Sequence, residues 1–375
     1  MSWQVSLWES DPLTALPTLM LPGEITAQDL HTLVTDQLGI ARPSLCFTLH
    51  TSPLTKVPIN RTLLEAISQS SLPVDRESIL SIEFFDSSIT DPELESSISI
   101  PDWISCLAPD NQGSLLIGSY DCKSRLLKSN AITVSPFASE GPIKALCWMG
   151  GGDEFAIASM EKKITKCSLE RGKLDSFSVP SIPSSLCYTA SKNTLAYALW
   201  DGSVQFKCAN EESLVACSHT GKATSVAFSA SEQLISAGWD SKVRTTDLST
   251  QKQSQIINLS AGVNSFCLPS ENTIFAGLTN NRPELIDSRS TKANILKFGN
   301  VHKGWVTAVA CKSDHLLATA STDCTVRLWD LRGDTKSSIF ALQLKAKPLA
   351  VAFIDDGQRL VCGGEDNLLS LYTLT

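Results

Sequence analysis

The sequence predicts a mainly β fold, a propeller of seven small sheets preceded by a compact α+β unit, and three observations carry the prediction. Short apolar strands and polar turns recur at about 40-residue spacing from residue 96 onward. One copy of the repeat, residues 302–330, is complete enough to serve as the template for the others. Residues 1–86 follow neither the spacing nor the turn residues and carry a helical stripe instead.

The template runs from His302 to Asp330, HKGWVTAVACKSDHLLATASTDCTVRLWD. Val306 to Cys311 is a first strand, Leu316 to Ala320 a second and Thr325 to Trp329 a third, with Ser-Thr-Asp-Cys as the turn between the last two. The closing Trp329-Asp330 pair is the mark of a WD repeat. In such repeats a histidine ahead of the first strand, a hydroxyl on the second, the turn aspartate and the third-strand tryptophan form a hydrogen-bonded chain; here these are His302, Thr319, Asp323 and Trp329. A chain of this kind satisfies polar groups that the blade must bury. His302 and Asp323 therefore read as structural, and no nucleophile accompanies them to make a catalytic pair.

Registered on Ala310, the repeat places Ala108, Cys147, Cys187, Ala227, Cys267 and Ala352 at the same strand position, which defines seven units. Their turns carry Asp121, Glu161, Asp201, Asp240, Asn280, Asp323 and Asp366, so the acidic position is kept in six of seven. The place of Trp329 is taken by Leu127, Cys167, Lys207, Thr246, Ile286 and Tyr372, which leaves one blade with the full tetrad. His219 precedes Asp240 by the interval that separates His302 from Asp323, and it too reads as a buried structural histidine. The last unit stops on a third strand, so the lone strand Ser96 to Pro101 is expected to complete it and remove both exposed edges.

Ahead of the repeats, Trp3 to Trp8 alternates as a strand, Leu16 to Leu21 follows as a second, and Pro22-Gly23-Glu24 breaks it. Thr26 can cap a helix over Ala27 to Leu38, with Leu30, Leu33, Val34 and Leu38 on one stripe and Gly39 as its stop. Leu45 to His50 and Ile79 to Phe85 are two further strands, with a short helical segment Leu63 to Ile67 between them. That order is the order of a ubiquitin-like β-grasp module. Residues 87–95 are polar and acidic and read as a linker, Glu93 and Glu95 included, which leaves residues 1–86 as the ubiquitin-like domain and 96–375 as the propeller.

Composition bounds the function. A formal charge of −8 and a pI near 5.2 disfavour broad binding to phosphate backbones and favour protein partners, while Lys162, Lys163 and Lys166 could still form a small basic patch, so direct RNA contact stays open. The twelve cysteines contain no C-x-x-C pair and no histidine at zinc spacing, so neither a metal within the chain nor a cofactor is expected, and the thiols read as reduced and intracellular. The start, MSWQVSLWESD, lacks the pattern of a leader, and no apolar stretch is long enough to span a membrane, so neither secretion nor a membrane is expected.

Several segments together resemble a known family. They are Asp102-Trp103-Ile104-Ser105, Gly118-Ser119-Tyr120-Asp121, Gly304-Trp305-Val306-Thr307, Val326-Arg327-Leu328-Trp329-Asp330 and Cys362-Gly363-Gly364-Glu365-Asp366-Asn367. With a ubiquitin-like module in front and seven units rather than eight, the chain resembles the WD-repeat subunit of the PeBoW complex, with the Notchless family as runner-up. The resemblance implies a non-enzymatic assembly factor for the large ribosomal subunit, acting in pre-rRNA processing in the nucleolus and nucleoplasm. It implies as partners a BOP-type WD-repeat protein, a pescadillo-like protein, the pre-ribosomal particle and the AAA ATPase midasin, whose metal site would grip the ubiquitin-like domain. The family's metal-binding carboxylate falls at Glu77, with Asp75 as second choice; by chemistry alone either is an ordinary solvated acid. A ubiquitin-pathway substrate adaptor is the alternative of another class. Conjugation is excluded because the module runs on into a linker instead of ending in a free Gly-Gly, and a propeller hydrolase lacks a nucleophile, base and oxyanion set.

Overall fold

The computed structural model describes residues 2–10, 13–16, 18–38, 45–52, 55–59, 61–69, 79–86, 92–110, 112–128, 131–150, 152–208, 212–248, 250, 252–289, 296–299, 302–312, 315–331 and 338–374. The chain divides into two compact units, Met1–Thr90 with Asp330–Asp334, and Asp91–Trp329 with Thr335–Thr375.

In the first unit, strand β1 (Ser2–Ser10) is antiparallel to both β2 (Leu13–Ala15) and β3 (Leu19–Pro22), which lie one after the other along it. The sequence pattern predicts a single strand, Leu16 to Leu21, in their place. Strand β2 ends at Ala15 and β3 begins at Leu19, and the sequence between them holds a proline, which has no N–H to give to a ladder. Helix α1 (Ala27–Leu38) opens with a reciprocal cap: Thr26 Oγ1 accepts from the Asp29 N–H at 3.2 Å, and Asp29 Oδ2 accepts from the Thr26 N–H at 3.0 Å. Strands β4 (Leu45–Ser52) and β5 (Thr55–Pro58), the short helix α2 (Leu63–Gln69) and β6 (Leu80–Asp86) follow. The sheet order is β2-β1-β6-β4-β5, with β1 and β6 parallel and the other pairs antiparallel. Leu30 and Val34 from α1 bury with Val5, Leu7, Phe47, Leu49 and Ile82, each large side chain contributing about 1.5–3 kcal/mol of hydrophobic stabilisation.

The second unit is seven four-stranded antiparallel sheets. Their first strands are Ile104–Pro109, Ile143–Trp148, Pro183–Thr189, Ala223–Phe228, Val263–Ser270, Val306–Cys311 and Pro348–Ile354, and these head blades 1 to 7. Each lies beside the next, and that of blade 7 lies beside that of blade 1, so the ring is closed. Second strands such as Leu316–Ser321 and Thr194–Leu199 are buried at every residue, which explains their unbroken apolar character. Blade 7 takes its outer strand from Glu93–Ser99, Leu368 pairing with Ser99 and Thr373 with Glu93. That strand starts ahead of the Ser96 expected, so the end of the acidic stretch is not linker: Glu95 approaches Arg359 at 3.7 Å, and Glu93 and Leu94 continue the ladder past a bulge.

Every first strand is bulged at its second residue. The ladder skips Ser105, Lys144, Ser184, Thr224, Asn264, Thr307 and Leu349 in turn. A bulge re-aims the side chain it frees. Five of these side chains donate to the first-strand carbonyl of the following blade: Ser105 to Ile143 at 2.7 Å, Ser184 to Ala223 at 2.5 Å, Thr224 to Val263 at 2.7 Å, Asn264 to Val306 at 2.8 Å and Thr307 to Pro348 at 2.7 Å. The blades are thus joined by a ring of side-chain hydrogen bonds around the central channel. Lys144 and Leu349 occupy the two remaining seats.

The acidic turns share a second feature. The residue after the turn acid, or after Asn280 in blade 5, is left-handed in all seven blades: Cys122, Lys162, Gly202, Ser241, Asn281, Cys324 and Asn367 have φ between 55° and 92°. Only one is glycine, and there a Cβ would sit 2.3 Å from the His219 carbonyl oxygen. In four of the other turns the strain is offset by the carboxylate itself, which accepts the N–H two residues on, as Asp121 does from Lys123, Asp240 from Lys242, Asp323 from Thr325 and Asp366 from Leu368; Asp201 makes the same bond to Ser203 around Gly202.

Candidate functional site

In blade 6 the turn and the second and third strands bring His302, Thr319, Asp323 and Trp329 into one chain. Trp329 Nε1 donates to Thr319 Oγ1 at 2.9 Å, Thr319 Oγ1 lies 2.8 Å from His302 Nε2, and His302 Nδ1 lies 3.1 Å from Asp323 Oδ2. An imidazole protonated on Nδ1 alone lets each group donate to the next in that order. His302 is 2% exposed, and burial lowers its pKa against the opposing pull of Asp323. Burial alone would raise the Asp323 carboxyl; the Thr325 hydroxyl, the Lys303 N–H and His302 outweigh it and hold the pKa at about 2. A neutral ring wedged against an ionised acid, closed off by tryptophan, is a cross-brace without an open face for substrate. Phe298 packs edge-on against Trp329, ring centroids 5.0 Å apart.

Blade 4 repeats the brace in shortened form. His219 Nδ1 lies 2.8 Å from Asp240 Oδ1 and Nε2 3.0 Å from Ser236 Oγ, but Thr246 stands where the tryptophan would be, and Cys217 Sγ approaches the serine at 3.2 Å. Burial lowers the His219 pKa as well.

Glu77 and Asp75, the residues that the resemblance implies as metal ligands, lie outside the described residues. Of the three lysines of the candidate basic patch, Lys162 is exposed, Lys163 is paired with Glu140 at 2.5 Å and Lys166 is half-buried. Among the described residues, no group of histidine, cysteine and carboxylate side chains is arranged to hold a metal ion. No helix of the described residues is long and apolar enough to cross a membrane.

Sequence reasoning missed the channel. A cavity of about 500 Å³ is lined by first-strand residues of all seven blades, together with Tyr120, Lys222, Trp239 and Trp305. Trp103, Trp200, Trp239 and Trp305 stand 38–51% exposed just before a first strand or just before a turn acid. Their shared place in the repeat is a signal in the sequence that they belong to one end of the ring.

A closed ring of four-stranded sheets with acidic turns and a His–Thr–Trp brace defines a WD-repeat propeller protein. The family model for "WD domain, G-beta repeat" matches residues 212–247 and 294–330, the units of His219 and His302. A rice protein named ribosome biogenesis protein WDR12 homolog is 25% identical over 432 residues, spanning 96% of this chain and 93% of its own length. The Dictyostelium discoideum protein of that name is 24% identical over 84% of this chain and 82% of its length. The Chlamydomonas reinhardtii homolog is 32% identical, but over 41% of this chain and 37% of its own length. Over most of its length the chain is thus similar to proteins named as WDR12 homologs, which are ribosome biogenesis proteins.

Proposed function

We propose that this chain is a non-catalytic assembly factor for the large ribosomal subunit, acting in pre-rRNA processing as a propeller scaffold in a PeBoW-like complex. The observation that carries the reading is the likeness of nearly the whole chain, both units included, to the rice ribosome biogenesis protein. A general role in ribosome biogenesis places the protein in the nucleus, with the nucleolus and nucleoplasm as the compartments of its work.

In this reading the propeller joins a BOP-type WD-repeat protein and a pescadillo-like protein on the pre-ribosomal particle. The first unit is a ubiquitin-like handle by which midasin removes the factor. Its parallel β1/β6 pair at the centre of a mixed sheet, with an amphipathic helix between β3 and β4, supports the β-grasp assignment. The brace geometry supports a scaffold, since its histidines are neutral, buried and fully engaged.

Purification of the tagged chain from its own cells tests the proposal. Pescadillo-like and BOP-like proteins with large-subunit precursor RNA are expected in the eluate. A cullin or another ligase subunit in their place would move the chain to the ubiquitin-adaptor reading.

A further inference from the structure

The seat of Lys144 on the bulge ring is occupied by the one side chain there that carries a charge. Its Nζ lies 3.0 Å from the Tyr120 hydroxyl and 5.2 Å from the centre of that ring. Across the mouth, Lys222 Nζ sits 4.0 Å from the centre of the Trp200 ring and 5.2 Å from that of Trp239. Edge-to-face contacts extend both aromatic groups outward, Trp103 against Tyr120 at 5.7 Å and Trp305 against Trp239 at 6.4 Å. Among the described residues, the lining of the cavity beneath includes Lys144 and Lys222 and no aspartate or glutamate.

We propose that this end of the channel is a docking site for an extended, mostly apolar segment of another protein that carries a single acidic side chain, seating that aspartate or glutamate between Lys144 and Lys222 and laying its neighbouring apolar side chains on the exposed tryptophans.

Charge complementarity is the first ground. The chain as a whole is acidic at −8, yet at this mouth two ammonium groups share a cavity lined without a carboxylate. The carboxylates of the adjoining loops are held in their own blades: Asp102 accepts the Trp103 N–H, Asp121 is paired with Arg125, Asp201 accepts from Ser203, and Asp240 is paired with His219. Burial, and then the charge of Lys144, push the Lys222 ammonium down to about 8, as two cations without an anion between them require. An arriving carboxylate supplies the opposite charge that offsets the repulsion between the two lysines.

The second ground is the composition of the rim. Aromatic side chains that are rigid, half-exposed and grouped around a recessed pocket are the anchors of peptide and protein interfaces, where they bury much apolar area for little lost conformational freedom. The same rim disfavours nucleic acid. A phosphate backbone carries its charges in an unbroken row, which two lysines are too few to match in a chain of net charge −8. A single carboxylate within an otherwise apolar peptide meets only the lysines.

The site is independent of the assembly role proposed above and is tested separately. The full-length protein is titrated, with tryptophan fluorescence as the readout, against an array of short blocked peptides holding a central glutamate and varied apolar neighbours, and against their glutamine twins. Glutamate peptides are expected to bind, with a loss of at least roughly tenfold in the twins and in Lys144→Met or Lys222→Met, because each change removes one partner of a charge-assisted contact. Lys222→Arg retains a cation over the tryptophans and is expected to retain binding, which separates loss of charge from loss of fold. Equal binding of the glutamine twins, binding that survives both methionine variants, or no bound member of the array would overturn the proposal. So would tighter, lysine-dependent binding of a single-stranded uridine oligonucleotide, which would assign the mouth to RNA.

Discussion

Thr325 donates both its backbone N–H, at 3.0 Å, and its hydroxyl, at 2.6 Å, to the same oxygen of Asp323, while the other oxygen of that carboxylate faces His302. One side chain therefore holds the left-handed turn at Cys324 and anchors the buried brace of blade 6. Asp240 combines the same two duties in blade 4, while in blades 1, 3 and 7 the turn bond stands without a histidine. Turn acids persist where the histidine and tryptophan are gone, because the strained turn needs its acceptor whether or not a brace is present.

The first prediction follows from that double role. Asp323→Ala removes the acceptor from His302 and from the turn together and is expected to cost about 1–3 kcal/mol, the range for a buried group left without its partner. Asp323→Asn keeps an oxygen for the Thr325 N–H and is expected to cost less. Urea unfolding of both variants measures the difference; equal losses would show that the turn bond carries none of it.

A second prediction concerns pH. The folded-state pKa values of His302 and His219 lie below 6.5, so the unfolded chain binds protons that the native chain refuses. Their contribution is therefore complete above about pH 6.5 and falls as pH drops through that value, by no more than about 1.4 kcal/mol per pH unit for each histidine. Asp323, held at about 2, also has a depressed pKa, so its contribution is present above the ordinary carboxylate range and is lost between there and pH 2. Thermal unfolding from pH 8 to pH 4 is expected to show the decline starting near neutrality, and His302→Gln is expected to flatten that first limb. A stability that stays level down to pH 5 would mean that the histidines are not held neutral.

The third prediction tests the ring of bulges. Thr224 donates its hydroxyl to Ala237 O at 3.1 Å and to Val263 O at 2.7 Å, linking blade 4 to blade 5. Thr224→Val keeps the shape, removes the donor and is expected to cost about 1 kcal/mol, the typical net worth of such a bond. Hydrogen exchange is expected to rise at the first strand of blade 5 before any change appears in blade 1.

The repeat is legible in the sequence because its strongest elements are local. Leu316–Ser321 is buried on both faces and reads as a mostly apolar run, and an aspartate that accepts a backbone N–H two residues on marks five of the turns. The bulge ring is not legible, since its bonds join residues about 40 positions apart and a lone Ser, Thr or Asn at a strand start resembles any solvent-facing polar residue. The channel mouth is hidden for the same reason: Lys144, Lys222 and the tryptophans share a cavity only once the ring closes. The start of blade 7's outer strand is misplaced because Glu93 and Glu95 look like linker charge, while the partner of Glu95, Arg359, lies at the other end of the chain.

The last prediction addresses the proposed handle. A divalent ion held by protein oxygens with one open position takes a hard, negatively charged oxygen, and a glutamine in place of glutamate offers an oxygen of the same reach without the charge. If the first unit is gripped by midasin through Glu77, Glu77→Gln in the full-length chain is expected to abolish binding to the midasin metal domain, and chelation of divalent ions is expected to do the same to the parent. An exchange of Glu for Gln that keeps size and reach is expected to change stability by no more than about 0.5 kcal/mol, so unfolding curves of the two proteins are expected to superimpose. Association with the propeller partners is expected to persist. In cells the variant is then dominant: it enters the particle, occupies the place of the normal copy and resists removal, which a pulse-chase of large-subunit precursors would reveal as accumulation. Undiminished binding by Glu77→Gln moves the role to Asp75, and undiminished binding by both variants removes the handle from this chain.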